Sequence, residues 1–275
     1  MNKNKKYKSI GIFDSGFGGL DIMRGIIKEL PEYDFVYLGD TARVPYGNRS
    51  QDVIYEFTKQ AVDFLFSNNC ELVILACNTA SSEALRKIQQ EHLPKHSSNK
   101  RVLGVIIPAV EQAIMKTKNK RVGVMATEGT VKSGAFVREL LKSDSKIKVF
   151  QNACPLLVPI IESGEQNSEI ADIMLKKYLK PLLDKNIDTL ILGCTHYGIL
   201  ESKISRVVGK DISVISEVKI VAKKLKDYLS RHEEIERMLS KKGKRDFYST
   251  DLTKKFDVLG SKFFGKKIQA KKAII

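Results

Sequence analysis

Apolar residues follow two rhythms along this chain. Short runs such as IGIFD, LVILA, VGVMA and TLILG are apolar with little polar alternation, and each leads into a turn of small or hydrogen-bonding residues. Runs of that length, bounded by turn residues, are what strands buried on both faces look like. Between them apolar residues return every three or four positions, as amphipathic helices require. The pattern predicts strands at 9–14, 35–40, 72–77, 101–106, 121–127, 146–152, 189–194 and 212–216, and helices that include 50–68, 80–91 and 168–184. Strands alternating with helices predict an α/β fold with largely parallel sheets. Gly16, Gly18 and Gly19 predict a tight turn after the first strand, and Gly129 one after the fifth.

The order of these features repeats. IGIFDSGFGGLDIM is echoed by VGVMATEGTVKSGAF, and LVILACNTAS by TLILGCTHYG. A duplicated unit predicts two similar domains, pseudo-two-fold related and flanked by helices, with a site in the cleft between them. The expected division is 1–104 plus 213–275 for the first domain and 105–212 for the second. The helix after Glu217 and the segment FYSTDL are expected to return to the first domain.

The echo changes the reading of two cysteines. Taken alone, Cys77 reads as a buried structural thiol, the common fate of a free cysteine. Cys77 and Cys194, however, fall at equivalent strand ends, in Cys-Asn-Thr and Cys-Thr-His. Two thiols on opposite sides of one carbon can take a proton from one face and return one to the other, provided one begins as thiolate and the other as thiol. A free thiol titrates near 8.5, so the base needs a helix N-terminus, a histidine or an orienting carboxylate beside it. His196 and Asp14 are the candidates.

Composition narrows the setting. The 275 residues, 43% of them hydrophobic, are enough for about two globular domains. MNKNKKYK is followed by no signal-type apolar stretch, and no run of eighteen apolar residues occurs, which predicts a cytoplasmic protein with no membrane segment. The four cysteines do not make a disulfide scaffold. The formal charge of +15 raises nucleic acid as a partner, but the excess lies in lysine-rich helix faces and tails with no recognisable nucleic-acid motif, and this partner ranks low.

The motifs FDSGFGGL (13–20), GDTARVPYG (39–47), ACNTAS (76–81), ATEGTVKS (126–133), ACPLLVPIIESG (153–164), LGCTHY (192–197) and FYSTDL follow one another over nearly the whole length. In this combination and order the chain resembles the glutamate racemases. That resemblance implies that Cys77 and Cys194 are the acid and base, that Asp14, Glu162 and His196 tune them, and that Asp14, Ser15, Tyr46, Gly47, Asn78, Thr79, Thr195 and His196 bind substrate. It further implies interconversion of L- and D-glutamate without pyridoxal phosphate or metal, a role in peptidoglycan precursor supply, and a homodimer. SVISEVK (213–219) departs from the family, which more often carries an aspartate-containing turn there.

Other readings stand beside this one. The GFGG turn lacks the third glycine of a dinucleotide fingerprint, since Asp21 occupies that place. His92 and His96 are split by Pro94, and no C-x-x-C pair supports zinc. Cys70 and Cys154 read as structural, Glu162 alone as a surface carboxylate, and Tyr46 as turn packing or as a hydroxyl or backbone N–H offered to a ligand. An aspartate racemase of the same superfamily, a nucleic-acid-binding protein and a cysteine hydrolase are the rival functions.

Overall fold

The computed structural model describes residues 8–96 and 100–275; the basic start at 1–7 and the stretch 97–99 lie outside them. Apolar strands of the predicted kind form two parallel sheets. The first contains β1 (Ser9–Asp14), β2 (Phe35–Gly39), β3 (Cys70–Leu75) and β4 (Arg101–Gly104). The second contains β5 (Arg121–Ala126), β6 (Lys148–Ala153), β7 (Thr189–Gly193) and β8 (Ser213–Ile215). Two late strands, β9 (Arg245–Ser249) and β10 (Lys271–Lys272), extend the first sheet.

Strand order is β10-β9-β2-β1-β3-β4 in one sheet and β6-β5-β7-β8 in the other. The shared core of both orders is second, first, third, fourth, so the sequence echo corresponds to a repeated topology. In each sheet the chain leaves the first strand toward one side and later returns to the other. The crevice at that reversal is where open α/β sheets bind ligands. The residues after β1, β3, β5 and β7 are therefore the ones placed to form a site.

β8 pairs with β7 through Thr189↔Ser213, Leu190↔Val214 and Ile191↔Ile215, so the second sheet runs past the expected return at residue 212. The late segment does rejoin the first sheet, with β9 paired to β2 from Phe35↔Arg245 to Gly39↔Ser249. The 80–91 helix is also broken: helical turns at Asn78–Glu83 and Leu85–Lys87 give way to a wider π turn at Ile88–His92. The helices expected at 50–68 and 168–184 form at Gln51–Ser67 and Glu169–Leu183.

The central strands β1, β2, β3, β5 and β7 are packed on both faces, with Ile10, Ile12, Leu72, Leu75, Leu190 and Ile191 fully buried. Several cations of the late basic stretches pair at the surface, Lys224 with Glu111 at 2.6 Å, Lys226 with Glu29 at 3.1 Å and Lys271 with Asp246 at 3.3 Å. Among the described residues no helix is long and apolar enough to cross a membrane.

Candidate active site

The GFGG turn brings the two halves together. A Cβ at Gly18 would come within 2.4 Å of Thr195 Oγ1 and 2.8 Å of the His196 nitrogen. Only glycine allows the turn after β1 to approach the turn after β7 this closely. That packing, rather than a phosphate, accounts for the glycine. Gly129 also differs from expectation: it lies inside the helix Glu128–Ser133, where its N–H donates to the Gly47 carbonyl at 2.7 Å.

Between the two turns lies a cavity of about 430 Å³, lined by Ser15, Cys77, Asn78 and Thr79 on one side and by Cys194, Thr195, His196 and Glu162 on the other. Tyr46 and Gly47 also line it. This volume falls in the range of small-molecule sites. Of the residues expected here, only Asp14 does not line the wall. It is fully buried behind it, accepting bonds from the Gly16 N–H at 3.0 Å and from Thr195 Oγ1 at 3.3 Å.

Cys77 does not end its strand; it caps the helix Asn78–Glu83, with Sγ accepting from the Ala80 N–H at 3.5 Å. Ser15 Oγ lies 3.2 Å from the same sulfur. Burial and the nearby Asp14 carboxylate push the Cys77 thiol up to about 11, against the Ser15 and Ala80 bonds that favour thiolate. Cys194 is likewise held well above the ordinary thiol range by burial, and the charges of Cys77 and Asp14 push the same way, while the His196 N–H opposes them. The Cys77 charge thus disfavours ionisation of Cys194, so the two thiols do not ionise together.

On the Cys194 side, His196 Nδ1 stands 3.9 Å from Sγ and Nε2 stands 3.2 Å from Glu162 Oε1. Glu162 is therefore part of a chain leading to the thiol, not a surface carboxylate. Asp14 is pushed upward by burial and held down by His196, by the Gly16 and Gly19 N–H groups and by Thr195. Tyr46 does not offer its hydroxyl to the cavity, because that group donates to Asp40 Oδ2 at 2.5 Å. Thr79 Oγ1 joins Thr127 Oγ1 at 3.0 Å, linking the turn after β3 to the turn after β5.

Three features escaped the sequence reading. Cys154 lines the cavity instead of lying only in the core, with its thiol pushed up to about 12 by burial. Thr127 and Glu128 also contribute to the wall. Glu217 is fully enclosed and accepts from Asn78 Nδ2 at 2.8 Å. A lone carboxylate at a strand-to-helix turn was the available signal for it. His92, considered above for zinc, bonds Asp63 at 2.7 Å, and the side chain of His96 lies outside those described.

The thiols provide a direct test of the cavity. With Cys77 near 11, about one molecule in ten thousand carries its thiolate at pH 7. Iodoacetamide inactivation is expected to be slow there and to quicken about tenfold per pH unit up to pH 9, with glutamate, the ligand that the resemblance implies, protecting at saturation. Peptide mass mapping should place the protected label on Cys77 or Cys194. Label confined to Cys70 or Cys154, or no protection, contradicts the assignment.

Comparison with known proteins gives a consistent picture. Residues 10–225 match the family model described as Asp/Glu/Hydantoin racemase. A glutamate racemase from Geobacter metallireducens is 37% identical over 263 residues, covering 95% of this chain and 94% of that protein. Among solved structures, a glutamate racemase isoform from Bacillus anthracis superposes with a TM-score of 0.89 at 34% identity, covering 98% of each chain. A glutamate racemase from Francisella tularensis, solved with D-glutamate, gives a TM-score of 0.87 at 34% identity, again covering 98% of each chain.

Proposed function

The chain belongs to the Asp/Glu/hydantoin racemase family, and we propose that it interconverts L- and D-glutamate by proton transfer between Cys77 and Cys194. The observation that carries this reading is the placement of both thiols on one cavity, each just after the third strand of its sheet's repeated unit. One cysteine, as thiolate, takes the α-proton and becomes a thiol. The other gives its proton to the opposite face of the carbanion and becomes the thiolate, so charge and protons balance over the turnover. The next turnover in the same direction requires the thiols to exchange protons with solvent.

The α-proton of an amino acid is only weakly acidic, so the developing carbanion needs donors already in place. Ser15, Thr79 and Thr195 supply hydroxyl groups on the wall. A positioned donor in a site that excludes water contributes about 3–4 kcal/mol to such a transition state. Glu162 and His196 prepare Cys194, while Ser15 and the Ala80 N–H prepare Cys77. Asp14 acts from behind the wall, through Thr195 and the glycine turn. We assign the sequence-based domains to the two sheets, with the boundary moved past β8.

The reading extends to a cytoplasmic homodimer that uses no cofactor and supplies D-glutamate for peptidoglycan. Incubation of purified protein with L-glutamate alone, followed by polarimetry, tests the central claim. Optical rotation should decay to zero with no added cofactor, and L-aspartate should turn over at least about tenfold less efficiently, the discrimination one methylene provides. Undiminished rotation defeats the proposal; faster inversion of aspartate moves the substrate to the shorter acid.

A further inference from the structure

We propose that Glu217 is a positioning residue for glutamate inversion, fixing the Asn78 amide at the wall of the cavity beside Cys77. This assignment rests on the racemase reading above. Glu217 opens the helix Glu217–Arg231, which follows the last strand of the second sheet, whereas Asn78 opens the helix after β3 of the first. Their bond, Asn78 Nδ2 to Glu217 Oε2 at 2.8 Å, therefore ties the turn after β8 to the turn after β3. Both side chains are almost completely buried.

Asn78 is the one wall residue next to Cys77 that has two polar side-chain groups to orient. Its Nδ2 donates one of its two hydrogens to Glu217, and its Oδ1 has no hydrogen-bond partner among the described residues. Glu217 Oε1 likewise has none. A buried amide acceptor left over in this way costs free energy unless a ligand completes it. A substrate's α-ammonium is a donor of the required kind. Oδ1 is enclosed in the wall as it stands, and on this proposal the bound α-ammonium reaches it; with Nδ2 held the acceptor keeps one orientation, and with Nδ2 released the amide can rotate and the acceptor is lost.

The chemistry of Glu217 suits an anchor rather than a base. Among the described residues no cation pairs with it, and an ionised carboxylate so enclosed would carry a large desolvation penalty. Burial, reinforced by the Asp14 charge, holds its carboxyl well above the ordinary range. It acts as a neutral acid whose carbonyl oxygen accepts from Asn78.

Glutamate kinetics of four variants test this. Glu217→Met keeps the volume and removes the acceptor; KM for glutamate should rise about tenfold, the loss of one hydrogen bond to a charged group, with kcat changed less than about threefold. Asn78→Ala should show the same split. The double variant should be no worse than the poorer single one, because residues acting through one contact are not additive. Glu217→Gln keeps a neutral acceptor and should restore KM to within about threefold of the wild type.

An unchanged KM in the Met variant, or additive losses in the double variant, overturns the assignment. If the Met variant does not fold, the Gln variant decides: a KM shifted more than about threefold overturns it. Wild-type protein that fails to invert glutamate defeats the racemase reading itself, whereas active wild type with an indifferent Met variant defeats only the role of Glu217.

Discussion

Replacing either Cys77 or Cys194 with alanine is expected to lower glutamate inversion by about 10³- to 10⁴-fold, the upper part of the range for a positioned acid or base. The size of the loss follows from the geometry. Both thiols line one cavity, and in the proposed mechanism each serves one face of the α-carbon, so neither can stand in for the other. Serine should be little better, because its hydroxyl is far less acidic than a thiol. The fold should survive both changes, since all four cysteines are free and no covalent link is lost. Cys77→Ala does remove a helix cap, a loss of about 1 kcal/mol. Polarimetry alongside a thermal melt separates the outcomes. A Cys194→Ala protein that folds and still inverts glutamate at near wild-type rate removes the second thiol from the mechanism.

The strands that carry this site were legible because they are buried on both faces. Leu72–Leu75 and Leu190–Leu192 have no polar positions to obscure them, and the turns that follow hold the chemistry. The likeness of ACNTAS to GCTHYG is enough to pair Cys77 with Cys194. It is not enough to show that Cys77 begins a helix rather than ending a strand, since an N-cap residue has extended backbone angles like those of the strand before it.

What the sequence hid depends on contacts between distant segments. Tyr46 sits in a rigid loop whose sequence offers the hydroxyl to a ligand, yet Asp40 takes it, and Asp40 also receives Thr250 from the late segment at 2.8 Å. Glu217 reads as the acidic first turn of a basic helix, a solvated position in most proteins. Only the packing of that helix against Gly19–Glu29, close enough that a Cβ on Gly25 would lie 2.5 Å from the Val218 carbonyl, encloses its start beside Asn78. The break near Ala84 was equally invisible, because SSEALRKI has no proline or glycine to mark it.

In deuterated water, D-glutamate formed from L-glutamate is expected to carry α-deuterium from the first turnovers, while recovered L-glutamate stays almost unlabelled until the reverse reaction matters. Two opposed thiols require this asymmetry. The thiol that captures the substrate's proton faces one side of the carbanion, and the thiol that completes the product faces the other, so the captured proton does not enter that product. The delivering thiol has meanwhile equilibrated with solvent and carries deuterium. Starting from D-glutamate, the roles of Cys77 and Cys194 exchange and the label should appear in L-glutamate. A single base reaching both faces would instead return part of the original proton to the inverted product. Proton NMR of the α-position at early conversion reads the difference directly. Substantial unlabelled D-glutamate, beyond what an isotope preference for residual protium explains, means that one group serves both faces and that the matching strand ends are not an opposed pair.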